Sequence, residues 1–379
     1  MDRRSRAVRE ARELSATFSQ LTYRWRQIRS WPILQAELKS EMDPVSRRRI
    51  ELSLYTSISI VILDVVVGII IALIIFYRPH AIFEPIQRAY LYLNNHILQS
   101  VVSWLMGSPA GLQMNRNLVV FLGTVSLTVV SYWDAVILSL ITSDYIDMEF
   151  RIAIVLGSFS FTGVSVLLSA LIDLSSIVFF HIFFVYAGLT RLWHLTVRVI
   201  STFTQLFRGK KYNILKLRVD GHEFDLEQLI LGTVFLAVVV FMLPTVIVCY
   251  LTFMLLWVGV LLLQLLLRAG VSVFSFFPVY LYLKSNVILS KTAVVPKLSG
   301  DGTISFKMEP QPLGRAAVVS EFFKAVLASI PVNEPLRNTL MAIVRGTTLV
   351  FPKYAQHEQI NVSVDFGPTY SKLVRTVSM

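Results

Sequence analysis

LILGTVFLAVVVFMLPTVIVCYLTFMLLWVGVLLLQLLL occupies residues 229–267 and contains no charged residue. The stretch has about 39 residues and, as a helix rising 1.5 Å per residue, would be about 58 Å long. The hydrocarbon core of a bilayer is only about 30 Å thick, so one straight span cannot absorb the stretch. Because Pro244 lies within it, we predict a break near Pro244, as a tight hairpin or a kinked helix.

Four further apolar runs precede this stretch. They lie at about residues 52–77, 117–142, 152–172 and 174–193. Each has the roughly 20 residues that a transmembrane helix needs. Only 16% of the chain is charged, against about 25% in a typical soluble domain. We therefore predict an all-α polytopic membrane protein with about five to six membrane helices. Its membrane core covers residues 52–283, with the last span at 229–268.

The region before the first span, residues 1–51, is predicted to be basic, cytosolic and partly helical. An apolar face recurs there at spacings of four and three residues, which indicates an amphipathic helix: Leu14, Phe18, Leu21, Trp25 and Ile28. Pro32 is expected to end or kink this helix. Two interpretations remain open, a helix on the membrane surface or one packed on the protein's own cytosolic part.

The region after the membrane core, residues 284–379, has an ordinary density of charges. SGDG at 299–302 indicates a hairpin turn between two short β-like runs. Residues 315–330 follow an amphipathic helical pattern. We predict a small mixed α/β tail on the cytosolic side.

The net charge of +11 is concentrated in residues 1–51 and 188–218, beside apolar runs. Basic flanks of this kind mark the cytosolic side of a membrane. The N-terminus and the 194–228 loop are therefore predicted to be cytosolic. Nucleic-acid binding is the other common use of excess Lys and Arg, but these basic stretches are short and tied to spans. No nucleic-acid partner is predicted.

Motifs for enzyme chemistry are missing from the sequence. It contains no nucleotide cradle, nucleophile elbow, HExxH or CxxC pattern. We therefore predict no catalytic residue, metal site or cofactor. Asp64, Asp134 and His181 lie inside apolar runs, where an unpaired charge is costly. A proton or ion relay is one interpretation. Their isolation from one another favours the other, in which each bonds a neighbouring span or a partner subunit.

The strongest polar constellation is RGKKYNILKLRVDGHEFDLEQL, which begins at Arg208. Five cations within eleven residues are followed by acidic side chains. Each cation can interact with anionic headgroups at about 1 kcal/mol. Asp225 is expected to cap the helix that starts at Leu226. An ordinary cytosolic loop would account for the cations, but not for Gly209 or for the switch to acids.

Four long strings in this chain resemble the PIG-Q family. They are WLMGSPAGLQMNRNLVVFLG (104–123), DLSSIVFFHIFFVYAGLTRLW (173–193), FRGKKYNILKLRVDGHEFDLEQLILGT (207–233) and FMLPTVIVCYLTF (241–253). They occur in order across roughly residues 100–285. The departures are mild, such as Leu217 and the pair Gly221-His222. The part before the first span looks short for the family.

The resemblance implies a non-catalytic scaffold subunit in the endoplasmic reticulum membrane. The complex would transfer GlcNAc from UDP-GlcNAc to phosphatidylinositol on the cytosolic face, the first step of glycosylphosphatidylinositol (GPI) anchor synthesis. Implied partners are a PIG-A-like catalytic glycosyltransferase subunit, small membrane subunits, phosphatidylinositol and other lipids. The alternative is a membrane-embedded lipid-modifying enzyme or lipid transporter in its own right.

Two sets of site residues follow from the motifs and the resemblance. Those predicted to bind lipid headgroups or a partner are Arg208, Gly209, Lys210, Lys211, Asn213, Arg218, Asp220 and Asp225. Those predicted to lie at the membrane interface or in helix packing are Trp104, Gly107, Pro109, Gly111, Asn115, His181, Arg191 and Pro244.

Overall fold

The protein is mostly helical in the part that a computed structural model describes. That part comprises residues 15–107, 115–141, 148–213, 218–221, 224–284, 290–298, 304–312, 318–320, 322–324, 326 and 348–349.

The helices follow one another with short connections. In chain order the α-helices are α1 (Ala16–Ser40), α2 (Pro44–Tyr77), α3 (Pro79–Leu91), α4 (Gln99–Met106), α5 (Arg116–Ile141), α6 (Met148–Thr162), α7 (Val164–Val178), α8 (Phe180–Phe207), α9 (Leu226–Phe276) and α10 (Val279–Lys284). A π-helix, Tyr92–Leu98, joins α3 to α4.

Two antiparallel hairpins complete the described structure. Strands β1 (Lys210–Asn213) and β2 (Arg218–Gly221) connect α8 to α9. Strands β3 (Ser290–Leu298) and β4 (Ile304–Pro312) pair around the predicted SGDG turn, so the predicted hairpin is confirmed. Most of the tail after β4 lies outside the described residues, and its mixed α/β fold stays a prediction.

Three of the described helices are long and apolar enough to cross a bilayer. They cover Ser46–Tyr77, Arg116–Ile137 and Leu226–Phe276. Helices α7 and α8 are bent by 55° and would add a fourth span if they act as one. The predicted count of five to six is not confirmed. The predicted division at Asp173 is wrong, because the helices break at Gly163 and Phe179 instead.

Helix α9 is a single helix of 51 residues, about 76 Å long at 1.5 Å per residue. The predicted hairpin break near Pro244 is wrong, since the helix continues through this residue. Proline removes one backbone N–H, and such helices persist where neighbouring groups compensate. The next residue, Thr245, is fully buried and accepts a hydrogen bond from the Asn115 N–H.

Helix α9 runs antiparallel to α8 and then to α7. Phe235 stacks on Phe203 of α8, with ring centroids 6.5 Å apart. Further along, Gln264 donates a 3.0 Å hydrogen bond to Ser176 of α7. Helix α9 therefore packs against both α7 and α8, the two helices that are bent relative to each other.

The main apolar core lies where α4, α5, α8 and α9 meet. Aromatic rings fill it, with Tyr186 stacked on both Tyr250 and Trp257. Leu349 of the tail also enters this core. Its N–H donates to the Tyr186 hydroxyl at 3.1 Å, and its carbonyl accepts from the Trp257 indole N–H at 2.8 Å.

Helix α1 packs on the membrane core through its polar side. Arg24 is only 5% exposed, whereas Leu21, Trp25 and Ile28 of the predicted apolar face are 47%, 67% and 42% exposed. The helix continues through Pro32, so the expectation that it ends there is wrong. Packing on the protein's own helices therefore uses a face other than the predicted apolar one, with Ala16, Arg24 and Leu34 buried.

Candidate functional site

The first polar site is centred on Asp64, which is 1% exposed in the middle of α2. Its carboxylate accepts from the Ser165 N–H at 2.9 Å and the Ser165 hydroxyl at 2.7 Å. It also lies 3.1 Å from the Arg24 guanidinium. The carboxylate thus caps the N-terminus of α7, and Arg24 balances its charge. We call Arg24, Asp64 and Ser165 the Asp64 cluster.

Gly163 makes this cap possible. Its φ is +137°, a conformation that other residues rarely adopt. A Cβ on Gly163 would also collide with the Asp64 carboxylate. The chain therefore turns from α6 into α7 only because a glycine stands beside Asp64.

Asp173 makes the reciprocal contact near the other end of α7. It accepts from the backbone N–H groups of Ala16 at 2.8 Å and Thr17 at 2.9 Å, and from the Ser15 hydroxyl at 2.7 Å. These groups form the N-terminus of α1. The two helices are therefore joined twice, by Asp173 at the start of α1 and by Arg24 at the start of α7.

The second polar site, the His181 network, joins three helical segments. His181 Nε2 lies 3.1 Å from Oδ1 of the Asn94 side-chain amide. The Asn94 amide donates to Asp134, which also accepts from the Tyr90 hydroxyl at 2.8 Å. Asn94 is completely buried and lies in the π-helix. Local π-helices are frequent at functional sites.

Both sites decide between the two interpretations of the intramembrane ionisable residues. Asp64, Asp134 and His181 each contact a side chain or backbone group of a neighbouring helix. The interpretation that each bonds a neighbouring span is confirmed. The sequence did not single out Arg24 or Asn94 as site residues. A signal for Asn94 was its position one helical turn after Tyr90, which places both side chains on one face.

The predicted basic site begins at the end of α8. Gly209 adopts a φ of +61°, and its N–H donates to the Leu206 carbonyl at 3.0 Å. A left-handed glycine just after the last turn is a common helix terminator. Gly209 therefore turns the chain from α8 into β1, and Arg208 and Lys210 beside it are exposed.

The β1–β2 hairpin brings the other predicted residues of this site together. Lys210 pairs with Gly221, Lys211 with Asp220, and Asn213 with Arg218. The switch from cations to acids along the sequence thus places one Lys opposite one Asp across the two strands.

Asp225 stands at the N-cap position of α9 with an extended backbone. Its side chain makes no capping hydrogen bond, whereas its carbonyl accepts from the Leu229 N–H at 3.1 Å. The predicted position is confirmed, but the predicted capping contact is wrong. Glu227 supplies a negative charge in the first turn, where the helix dipole favours one.

The predicted interface residues divide into separate places. Trp104 is 58% exposed on α4, and the Gly107 N–H closes that helix on the Ser103 carbonyl at 3.0 Å. Pro109 and Gly111 lie outside the described residues. Arg191 is exposed on α8.

Asn115 and Pro244 are brought together through Thr245. The Asn115 side chain accepts from the Leu118 N–H at 3.2 Å, which caps α5. The backbone N–H of Asn115 donates to the Thr245 hydroxyl at 2.9 Å. The start of α5 is thereby fixed to α9 beside Pro244.

In the part of the chain that the structure describes, no group of three or more His, Cys, Asp and Glu side chains could hold a metal ion.

These features define a helical membrane protein with hydrogen-bonded polar sites between its helices and a basic hairpin between α8 and α9. Sequence comparison identifies the family. The model of the family described as N-acetylglucosaminyl transferase component (Gpi1) matches residues 18–290. The chain belongs to this Gpi1 family.

Several curated proteins are similar to the chain. The Schizosaccharomyces pombe N-acetylglucosaminyl-phosphatidylinositol biosynthetic protein gpi1 is 29% identical over 265 residues, which is 69% of this chain and 40% of that protein. Human phosphatidylinositol N-acetylglucosaminyltransferase subunit Q is 34% identical over 227 residues, 59% of this chain and 29% of that protein. The Saccharomyces cerevisiae subunit GPI1 is 26% identical over 228 residues, 60% of this chain and 37% of that protein.

The matched region thus spans well under half the length of these relatives. No solved structure matches the chain.

Proposed function

We propose that the chain is a non-catalytic scaffold subunit of the complex that transfers GlcNAc from UDP-GlcNAc to phosphatidylinositol. Its relatives carry names that place them in this biosynthesis or this transferase. The partners would be a PIG-A-like catalytic glycosyltransferase subunit and small membrane subunits. The site of action would be the cytosolic face of the endoplasmic reticulum membrane.

One structural observation carries the scaffold role. In the most apolar stretches of the three candidate spans, only 28%, 17% and 22% of the residues are buried inside the chain. Most residues of these stretches therefore keep apolar surface that the chain itself does not cover. A helix that is apolar but not buried by its own chain must meet lipid or another protein. Such helices provide the surface that a membrane platform needs.

The basic hairpin supports a second part of the proposal, which is its location beside the lipid. Arg208 and Lys210 are exposed at the junction of α8 and β1. Anionic headgroups attract such cations at about 1 kcal/mol each. The hairpin would then lie where phosphatidylinositol and the sugar nucleotide meet, bound either to the lipid phosphate or to an acidic surface of the catalytic subunit.

The test is reconstitution with separate subunits. The purified chain in phosphatidylinositol-containing nanodiscs is expected to form no GlcNAc-phosphatidylinositol from radiolabelled UDP-GlcNAc. Adding the glycosyltransferase subunit and the small subunits should give product, and omission of this chain should remove it. Product formed by the chain alone would show that it is an enzyme in its own right. Full activity without the chain would contradict the scaffold role.

A further inference from the structure

The end of α8 and the beginning of α9 form a two-helix arm beyond the aromatic core. The arm comprises residues 194–207 and 226–241, because Trp193 just before it still stacks on Tyr250 in the core. Phe203 stacks on Phe235 within it, and buried Gly232 allows Leu206 to approach closely. Because the two helices are antiparallel, counting outward from the Phe203–Phe235 pair gives, for each residue of one helix, the residue at the same height on the other.

The α9 side of the arm is apolar around most of its circumference. Its exposed large side chains, each 49% to 73% exposed, are Leu226, Ile230, Leu231, Val234, Phe235, Val238, Val240 and Phe241. Only Gly232 in this segment is buried. A helix that is apolar on every free face is typical of surroundings without water.

The α8 side is different, because its free face carries cations and polar groups beside one apolar residue, Leu195, which is 54% exposed. Arg191, one turn before the arm, and His194, Arg198 and Ser201 within it are all exposed. At 100° per residue they lie on one stripe, on the side of the helix opposite Thr196, which is buried toward the interior. We call these four residues the α8 stripe. No Asp or Glu occurs between Arg191 and Val219.

An arm that stood perpendicular to the membrane plane would be energetically unfavourable. Since Phe203 is level with Phe235, Arg198 is level with Val240 by antiparallel counting. If the α9 side crossed the hydrocarbon, the exposed α8 stripe would lie at hydrocarbon depth, where arginine is strongly disfavoured. If the arm stood in water, the α9 side would expose a continuous apolar surface.

We propose that the arm lies along the membrane interface as a two-level element, with α9 immersed in the acyl region and the α8 stripe facing anionic phospholipid headgroups. One occupant, an anionic lipid surface, then satisfies both sides, since it offers phosphates above acyl chains. Helix α9, with 51 residues and about 76 Å of length, is far longer than the roughly 30 Å of hydrocarbon, so it cannot stand upright over its whole length. The proposal rests on the proposed function only in placing the chain in a bilayer.

Depth measurement tests the orientation. Nitroxide labels would be placed singly by Ile230→Cys, Val234→Cys, Val238→Cys and Phe241→Cys in the full chain, in nanodiscs of phosphatidylcholine and phosphatidylinositol. Cys249 is 4% exposed, so the parent chain provides the unlabelled background. Accessibility to oxygen and to a water-soluble nickel complex reports depth.

A two-level arm predicts one common, deep position for all four α9 labels and headgroup depth for a label at Ser201→Cys. An upright arm predicts a steady change in depth of about 16 Å from residue 230 to 241, at 1.5 Å per residue, and that result would overturn the proposal. Labels on the candidate span α5, through Phe121→Cys, Val125→Cys and Tyr132→Cys, give the matched gradient.

A second variant tests the occupant. In the parent background, replacing phosphatidylinositol by phosphatidylcholine should raise the nickel accessibility of the Ser201→Cys label at least twofold. With Arg191→Gln and Arg198→Gln this dependence should disappear, whereas Lys39→Gln, an exposed cation on α1, should preserve it. If the label is shielded only when other subunits are present, a protein occupies the stripe and the proposal is wrong. Depth is measured on the isolated chain, so loss of complex activity would contradict the proposed function alone.

Discussion

Arg24 and Asp64 form an ion pair inside the protein, with 3.1 Å between the guanidinium and carboxylate atoms and side chains 7% and 1% exposed. The pair joins α1 to α2 and, through the Ser165 N–H, to α7. Three helices therefore depend on one carboxylate and its counter-charge.

Removing the cation of this pair should destabilise the protein. Arg24→Met leaves the Asp64 charge buried with only the Ser165 donors, and loss of one partner of a buried pair costs about 3–5 kcal/mol. Thermal unfolding of the purified chain in mild detergent measures the change. Arg26→Met, at an exposed position on the same helix, is the control and should shift the midpoint little. Equal effects of the two variants would mean that the pair contributes nothing specific.

Gly163→Ala should be destabilising for a different reason. The backbone at +137° would force alanine into a strained conformation, costing about 1–3 kcal/mol, and its Cβ would push against the Asp64 carboxylate. Gly259→Ala is matched, since a Cβ there meets nothing within 4 Å. In a helix interior that change should be neutral or stabilising by about 0.5–1 kcal/mol. Unfolding midpoints that move together would contradict this account.

The helical membrane class was predictable because charge-free runs of bilayer length have no other stable solution in lipid. The helix boundaries were not. Asp173 looked like a divider between two spans because local sequence shows only a charge inside an apolar run. Its carboxylate is used by the N-terminus of α1, 157 residues away in sequence from its Ala16 N–H partner. Contacts over such separations leave no local pattern.

In the polar sites, too, some features depend on the local sequence and others on which helices are neighbours. Gly209 serves a local need, since its left-handed backbone ends α8, whereas the sequence showed only that an ordinary loop does not account for it. The His181 network required knowledge of which helices are neighbours, because Asn94 and His181 lie on different helices. Likewise Pro244 predicted a break in α9, yet the helix is continuous through it.

Asn94 should be essential to the His181 network. Asn94→Ala removes the group that joins Asp134 to His181, and each buried polar group left unpaired costs about 1–3 kcal/mol. A lower unfolding midpoint in detergent is expected. Asn95→Ala is the control, because Asn95 is the next residue of the same π-helix and is exposed. A similar loss in both variants would point to the π-helix itself rather than the network.

Charge reversal on the basic hairpin tests its place in the complex. Lys210→Glu with Lys211→Glu should reduce GlcNAc-phosphatidylinositol synthesis by the assembled complex about tenfold or more, since two attractions of about 1 kcal/mol become repulsions. Membrane insertion should stay unchanged. Lys39→Glu, on an exposed cation of α1, is the comparison for unspecific charge effects. Unchanged synthesis would remove the hairpin from the proposed function.

Trp257 should hold the tail on the aromatic core. Its indole N–H donates to the Leu349 carbonyl at 2.8 Å, beside the Tyr186 hydroxyl that accepts from the Leu349 N–H. Trp257→Phe keeps an aromatic ring but deletes this donor, so the segment should separate more often. A Leu349→Cys label site should then react with maleimide several-fold faster, because a net hydrogen bond of about 1 kcal/mol is lost. Trp104→Phe, at an exposed indole of α4, should leave the rate unchanged, and a rate unaffected by Trp257→Phe would show that the indole contact does not retain the tail.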